Sequence, residues 1–323
     1  IANDGVHGFE LWKSNGTAAD TTLVADIAPG ATGSMPRHLT VVGSRLFFTA
    51  STPKHGTELW VSDMSGTRRL SDINAGRADT QIDQLTALND QLLFVAADDT
   101  HGPELWRSNG SMRDTARVAD IYPGPEGSRP RYLTECGSDL YFQARDPQHG
   151  YELWKSDGTS AGTLLVKDIR RGLDSSLPSH LTRVQNDVYF AATDGTHGVE
   201  LWRSDGTKSG TTLVQDLNVG PDSSSPGQLF ATGSMLVFAA GDAARGWEPW
   251  RLHHEAGPPK LIRDIRPGKD GSYPGRFVDW NDTIAFTADD DYGNVRLWLL
   301  DKARLGTSLV GTPITHRVKT DSE

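Results

Sequence analysis

Histidine recurs in one setting. Asp4-Gly5-Val6-His7-Gly8 and Asp194-Gly195-Thr196-His197-Gly198 place a carboxylate three residues before an imidazole and a glycine directly after it. Asp98 with His101 and Asp146 with His149 repeat the spacing, and His55 stands in a variant that lacks the Asp. Such pairs could ligate a metal or take up a proton near neutral pH. The same spacing lets the Asp close an Asx-turn while the imidazole fixes the hairpin. Repetition favours the second reading. A feature present in nearly every repeat serves the repeat, and equivalents in separate repeats stand too far apart to share one ion.

Other groups meet the same test. Six glutamates, Glu10, Glu58, Glu104, Glu152, Glu200 and Glu248, stand directly before a Leu-Trp pair or, at Glu248, a Pro-Trp pair. General acid catalysis needs paired groups of unlike pKa in one pocket, and six near-equivalent carboxylates lack that contrast. They are expected to meet a neighbouring repeat's Arg, Lys or backbone N–H. The runs 156–159 and 204–207 read Ser-Asp-Gly-Thr, with Ser14-Asn15-Gly16-Thr17 as a variant. They suggest type I′ hairpins. Calcium is conceivable through their oxygens, but there is no Asp-x-Asp-x-Asp run with a closing Glu, so no cofactor and no metal are expected. The sequence has no phosphate-binding Gly-rich loop, paired CxxC, HExxH or Gly-x-Ser-x-Gly element, and Cys136 is its one cysteine.

Residues that occur once are better candidates for a specific site. The stretch 245–255 carries Arg245, Trp247, His253, His254 and Glu255; Trp280 and the run Asp289-Asp290-Asp291-Tyr292 follow. Aromatic side chains beside Arg, Asp and His suit recognition of a protein or a glycan. The candidate binding residues are therefore Arg245, Trp247, Tyr292, His253, His254 and Trp280, with no catalytic residue among them.

The elements that hold these residues follow from the tryptophans. Trp12, Trp60, Trp106, Trp154, Trp202, Trp250 and Trp298 are spaced by 48, 46, 48, 48, 48 and 48 residues. In the copy 181–217, apolar β-prone stretches alternate with Gly-containing turns and give four short strands, a to d, in a meander. Repeats of this kind are propeller blades, stacked so that neighbours cover both faces of each sheet. The expected fold is an all-β, single-domain β-propeller over 1–323. It has six full repeats starting near Leu39, Leu85, Leu133, Leu181, Leu229 and Phe277. Residues 1–27 supply the end of strand b, then c and d, of a seventh blade. Six blades plus a half-blade is the alternative. The tail 312–323 is a possible closing strand, with 315–320 as its candidate segment. Prolines 36, 130, 178, 226 and 274 are expected to hold the chain extended on entering each next blade. In this scheme Arg245 and Tyr292 belong to b–c turns, and His253 and His254 to a c–d turn at the opposite end. The b–c end, with Arg245, Trp247 and Tyr292, is the narrower candidate site.

The run Glu152-Leu153-Trp154-Lys155-Ser156-Asp157-Gly158-Thr159, then Gly162-Thr163 and Val166-Lys167-Asp168-Ile169, resembles the repeat of the ELWxxDGT family. The resemblance covers nearly the whole chain. It weakens in the last two copies, where Pro249 replaces Leu and Arg296 replaces Glu. It implies a secreted or cell-surface bacterial protein and supplies no catalytic residues.

The net charge of −10 argues against nucleic acid and anionic lipid as partners. No apolar run is long enough to insert in a membrane. The chain begins at Ile1, inside a repeat and without a signal-peptide pattern, and is expected to be part of a longer polypeptide. The expected function is a non-enzymatic binding or adhesion module for a protein or surface glycan. The alternatives are a structural domain of an extracellular assembly, or a hydrolase or lyase using the propeller funnel. Blade spacing varies by only two residues, which leaves little room for the loop insertions an enzyme would favour.

Overall fold

The computed structural model describes residues 1–254, 256–290 and 292–302. The closing-strand segment 312–323, Glu255 and Asp291 lie outside them. The described chain is all-β: five four-stranded and two three-stranded antiparallel sheets, each a meander, which places the fold in the β-propeller class. The sheets are numbered here as blades 1 to 7 in chain order. Blade 1 consists of Ala2–Asn3, Phe9–Lys13 and Thr22–Ala25. Blade 5 shows all four strands: a, Ser179–Val184; b, Asp187–Thr193; c, Val199–Ser204; d, Thr212–Gln215. The chain divides into two compact units, Ile1–Leu165 and Val166–Glu323.

In blades 2 to 6 the middle of strand b is buried on both faces. In blade 5 Val188, Tyr189, Phe190, Ala191 and Ala192 are all buried. A Phe on strand b stands opposite the repeat Trp on strand c in six blades: Phe48 and Trp60, Phe94 and Trp106, Phe142 and Trp154, Phe190 and Trp202, Phe238 and Trp250, Phe286 and Trp298. The cores form between blades. Val42, Phe47 and Leu59 of blade 2 pack with Leu92 and Phe94 of blade 3, and Met235 and Val237 of blade 6 with Phe286 and Leu300 of blade 7.

Two local expectations are corrected. The Asp-Gly pairs of blades 4 and 5 do not form two-residue type I′ hairpins. Type I′ needs positive φ at both residues, and only Gly158 and Gly206 have it. In blade 5 seven residues separate strands c and d. Asp205 closes an Asx-turn there, its Oδ1 accepting from the Thr207 N–H (2.8 Å) and Oγ1 (2.7 Å). A two-residue connection does occur in blade 2, through Met64 and Ser65, with Asp63 paired to Gly66. The chain before strand a is not simply extended either. Met35, Arg129, Leu177, Ser225 and Tyr273, each directly before one of the prolines, have φ between 48° and 52°.

A second left-handed residue follows inside strand a. His38, Gln84, Tyr132, His180, Gln228 and Arg276 have φ between 52° and 58°. Each sits where the a–b register shifts by a bulge. A bulge takes up an extra residue and re-aims its side chain. Holding a non-glycine residue this way costs on the order of 1–2 kcal/mol, so every full blade bears this strain at the start of strand a.

Candidate functional site

The Asp-x-x-His turns are built as hydrogen-bonded hairpin locks. Asp194 Oδ1 accepts from the N–H of Thr196 (2.8 Å) and of His197 (3.0 Å), and its Oδ2 lies 2.7 Å from His197 Nδ1. The corresponding His–Asp distances are 2.6 Å for His7 with Asp4 and 2.9 Å for His101 with Asp98 and His149 with Asp146. Burial pushes the Asp194 carboxyl up. The Thr196 N–H and the His197 imidazole outweigh it and hold the carboxyl below its ordinary range. Asp194 in turn raises His197. The glycines after His7, His55, His101 and His197 are required by close approach: a Cβ on Gly198, at φ +66°, would lie 2.4 Å from the Asp222 carbonyl oxygen. Among the described residues no group of three or more His, Cys, Asp or Glu could hold a metal ion.

The Glu of the Glu-Leu-Trp motif is fully buried, and its partners are a backbone N–H and a serine rather than a cation. Glu200 Oε2 accepts from Ser224 Oγ (2.5 Å) and Leu217 N–H (3.1 Å), and Oε1 from Ser224 N–H (2.7 Å). Glu10 with Ser34, Glu104 with Ser128 and Glu248 with Ser272 repeat the bond between carboxylate and hydroxyl. In blade 2 Ser71 and Thr80 serve Glu58. Each carboxylate thus ties strand c to the connector leading to the next blade. Burial pushes the carboxyls of Glu104, Glu200 and Glu248 up, while these donors pull them down.

The once-only residues separate into two ends of the blades. Arg245 takes the place of the turn histidine: its Nη1 lies 2.5 Å from Asp242 Oδ2, and its guanidinium is committed to that lock. Trp247, the second residue of its strand c, donates Nε1–H to the Ser224 carbonyl (3.2 Å) and lies 6.2 Å from the Tyr273 ring. Tyr292 is 89% exposed in the b–c turn of blade 7, where Asp290 pairs with Arg296 at 2.8 Å. At the opposite end, His254 reaches from blade 6 to blade 5, with Nδ1 3.2 Å from Tyr189 Oη and 3.5 Å from the buried Asp187. Arg203 also pairs with Asp187. His253 contacts Arg251 at 3.1 Å, and burial with Arg251 and Lys260 lowers its pKa. Trp280, 53% exposed, ends strand a of blade 7.

In the first unit, an open cleft of about 1120 Å³ lies over the starts of the a strands of blades 2, 3 and 4. Arg37, His38, Asp83, Gln84 and Arg131 line it. Several of its polar groups have partners within the protein. Asp98 holds His101, Asp79 accepts from the Thr57 N–H at 2.7 Å, and Arg129 pairs with Glu126. Gln84 spans blades, accepting from the Leu133 N–H (3.2 Å) and donating to the Pro130 carbonyl (3.3 Å). The exposed guanidiniums of Arg37 and Arg131, from equivalent positions of blades 2 and 4, make no ion pair among the described residues.

Sequence reasoning missed this position. A signal was present. Two residues after the recurring proline stand His38, Tyr132, His180, Gln228 and Arg276, side chains that differ from blade to blade at a fixed place in the repeat.

No protein-family model matches the chain, and no curated protein matches it. Among solved structures, the chain is similar to a prolyl oligopeptidase B from Galerina marginata bound to a 25mer macrocyclization substrate. Identity is 12%, the TM-score is 0.50, and the match covers 88% of this chain and 44% of that one. Oligopeptidase B from Leishmania major matches at 11% identity and TM-score 0.50, over 83% of this chain and 39% of that one. A puromycin hydrolase matches 98% of this chain and 58% of its own at 13% identity and TM-score 0.48. The chain spans less than two thirds of the length of each of these structures. At such identities the likeness to the two oligopeptidase structures is one of fold alone.

Proposed function

We propose that the chain is a non-enzymatic binding module that recognises a protein or glycan partner through the starts of its a strands. One observation supports this most. The consensus side chains are consumed by internal bonds, Asp with His in the turns and Glu with Ser in the connectors. The side chains that vary between blades are set instead on a strained, bulged segment that opens onto a cleft in the first unit. Strain repeated at one place and filled with unlike polar residues suits a recognition surface on a common scaffold. The sequence resemblance to the ELWxxDGT repeats supports a secreted or cell-surface setting.

The test is binding to peptide and glycan arrays by the wild type and by Arg37→Glu/Arg131→Glu. Both residues are exposed, so the variant should fold. The expected outcome is loss of the strongest signals by tenfold or more, about 1.4 kcal/mol. An unchanged binding profile would remove the cleft from the proposal.

A further inference from the structure

Blade 6 departs from the other blades at several positions, and the structure joins two of them, Gly241 and Trp247, which face each other across strands b and c. Gly241 stands where blades 2, 3 and 5 have Ser51, Ala97 and Thr193. Gly227 stands where blades 2, 4 and 5 have Arg37, Arg131 and Ser179, a position at which blade 7 also has a glycine, Gly275. Neither glycine has a left-handed φ, so the backbone does not require glycine at either position. At Gly241 space does: a Cβ there would lie 2.8 Å from Trp247 Cδ1. A Cβ on Gly227 would lie 3.4 Å from Trp247 Cη2, in ordinary contact. The indole lies over both glycines and fills the room a side chain at 241 would take.

Tyr273 completes the surface. It is 60% exposed, yet its position is fixed: φ is +48°, Pro274 follows, and its N–H donates to the Trp247 carbonyl at 3.1 Å. Its ring stands 6.2 Å from the indole at an interplanar angle of 48°. Gln228, exposed on strand a of the same blade, extends along the ledge toward Gly275. Arg245, the nearest cation in sequence, is neutralised by Asp242.

From this geometry we infer that Trp247 and Tyr273 form a stacking subsite for a neutral sugar ring, with Gln228 and the Tyr273 hydroxyl as its hydrogen-bonding groups. The inference rests on the binding-module reading and names the ligand class for this part of it. A pyranose has one face of polarised C–H bonds, which packs on the negative face of an aromatic ring. Its equatorial hydroxyls need neutral donors and acceptors at the rim, and an amide and a phenol supply both. An acidic or basic partner would find no uncompensated opposite charge among these residues.

The probes are neutral oligosaccharides: maltohexaose, cellohexaose, mannohexaose and a galactan fragment. A proline-rich peptide serves as the competing aromatic-stacking ligand. Binding is read by saturation-transfer NMR and by the shift of the Trp247 indole N–H, assigned with Trp247→Phe. At least one oligosaccharide is expected to bind in the millimolar range or tighter. Trp247→Ala and Tyr273→Ala should each weaken it tenfold or more, and Trp247→Phe should keep most of it. Because Tyr273 is exposed, Tyr273→Ala should leave thermal unfolding unchanged, so its effect reports on binding. No saccharide binding at millimolar concentration overturns the inference, as does equal binding by the alanine variants or binding of the peptide alone. If Arg37→Glu/Arg131→Glu abolishes array signals that Trp247→Ala leaves intact, the binding-module reading stands and the sugar subsite falls.

Discussion

The pairing of Asp194 with His197 gives the protein a defined pH response. His197 is raised above 6.5, so its contribution to stability is complete below pH 6.5 and is lost as pH rises through the raised value. Asp194 is depressed below 3.8, so its contribution is complete above pH 3.8 and is lost as pH falls through the depressed value. The lock is therefore whole between these limits. An NMR titration should place the His197 midpoint above 6.5, and Asp194→Asn should return it to the ordinary range; an unshifted midpoint in the wild type would contradict the lock. A harsher change is Glu200→Ala, which strips two buried donors and one part-buried donor of their acceptor. At about 1–3 kcal/mol for each buried group left unsatisfied, it should lower unfolding stability by about 2 kcal/mol or more in a denaturant titration. The Asp–His lock was legible in the sequence because both partners lie within one turn. The Glu–Ser tie was not, although Ser34, Ser128, Ser176, Ser224 and Ser272 recur at a constant 24-residue offset from the glutamates. An isolated serine in a loop has many uses, and only the fold brings these connectors beneath the carboxylates.

For the strands, the tryptophan spacing identified the blades, but the equivalent tryptophans are not equally buried. Trp154, Trp202, Trp250 and Trp298 are buried at 6–8% exposure, whereas Trp60 and Trp106 are only half-buried. Trp202→Ala should thus cost about 3–5 kcal/mol and Trp106→Ala clearly less, as read from denaturant midpoints. Equal costs would mean that burial does not govern these sites. The bulge in strand a was hidden for a related reason. Sequence patterns report polarity and volume, and nothing in His38, Tyr132 or Arg276 announces a left-handed backbone. Glycine tells more in blade 6. Gly241→Thr, which restores the residue of blade 5, should displace the Trp247 indole and shift its N–H resonance while secondary structure stays unchanged by circular dichroism. A resonance left in place would show that the indole does not lie on that glycine.

At the scale of the whole molecule, the repeat made the β-propeller class legible, because six near-equal intervals with four β-prone stretches admit few other packings. The same regularity concealed the candidate site. Averaging over copies highlights the His turns and the Glu-Leu-Trp strands, which the structure uses for its own cohesion, and blurs the residues that differ. Recognition by the unlike residues at the starts of the a strands is the central claim. It is tested most directly by carrying four proteins through the same peptide and glycan arrays: the wild type, Arg37→Glu/Arg131→Glu, Trp247→Ala, and the turn variant His101→Asn/His149→Asn. The account predicts that the turn variant keeps the wild-type profile while at least one of the other two loses its strongest signals. A profile lost in the turn variant and retained in both others would contradict it.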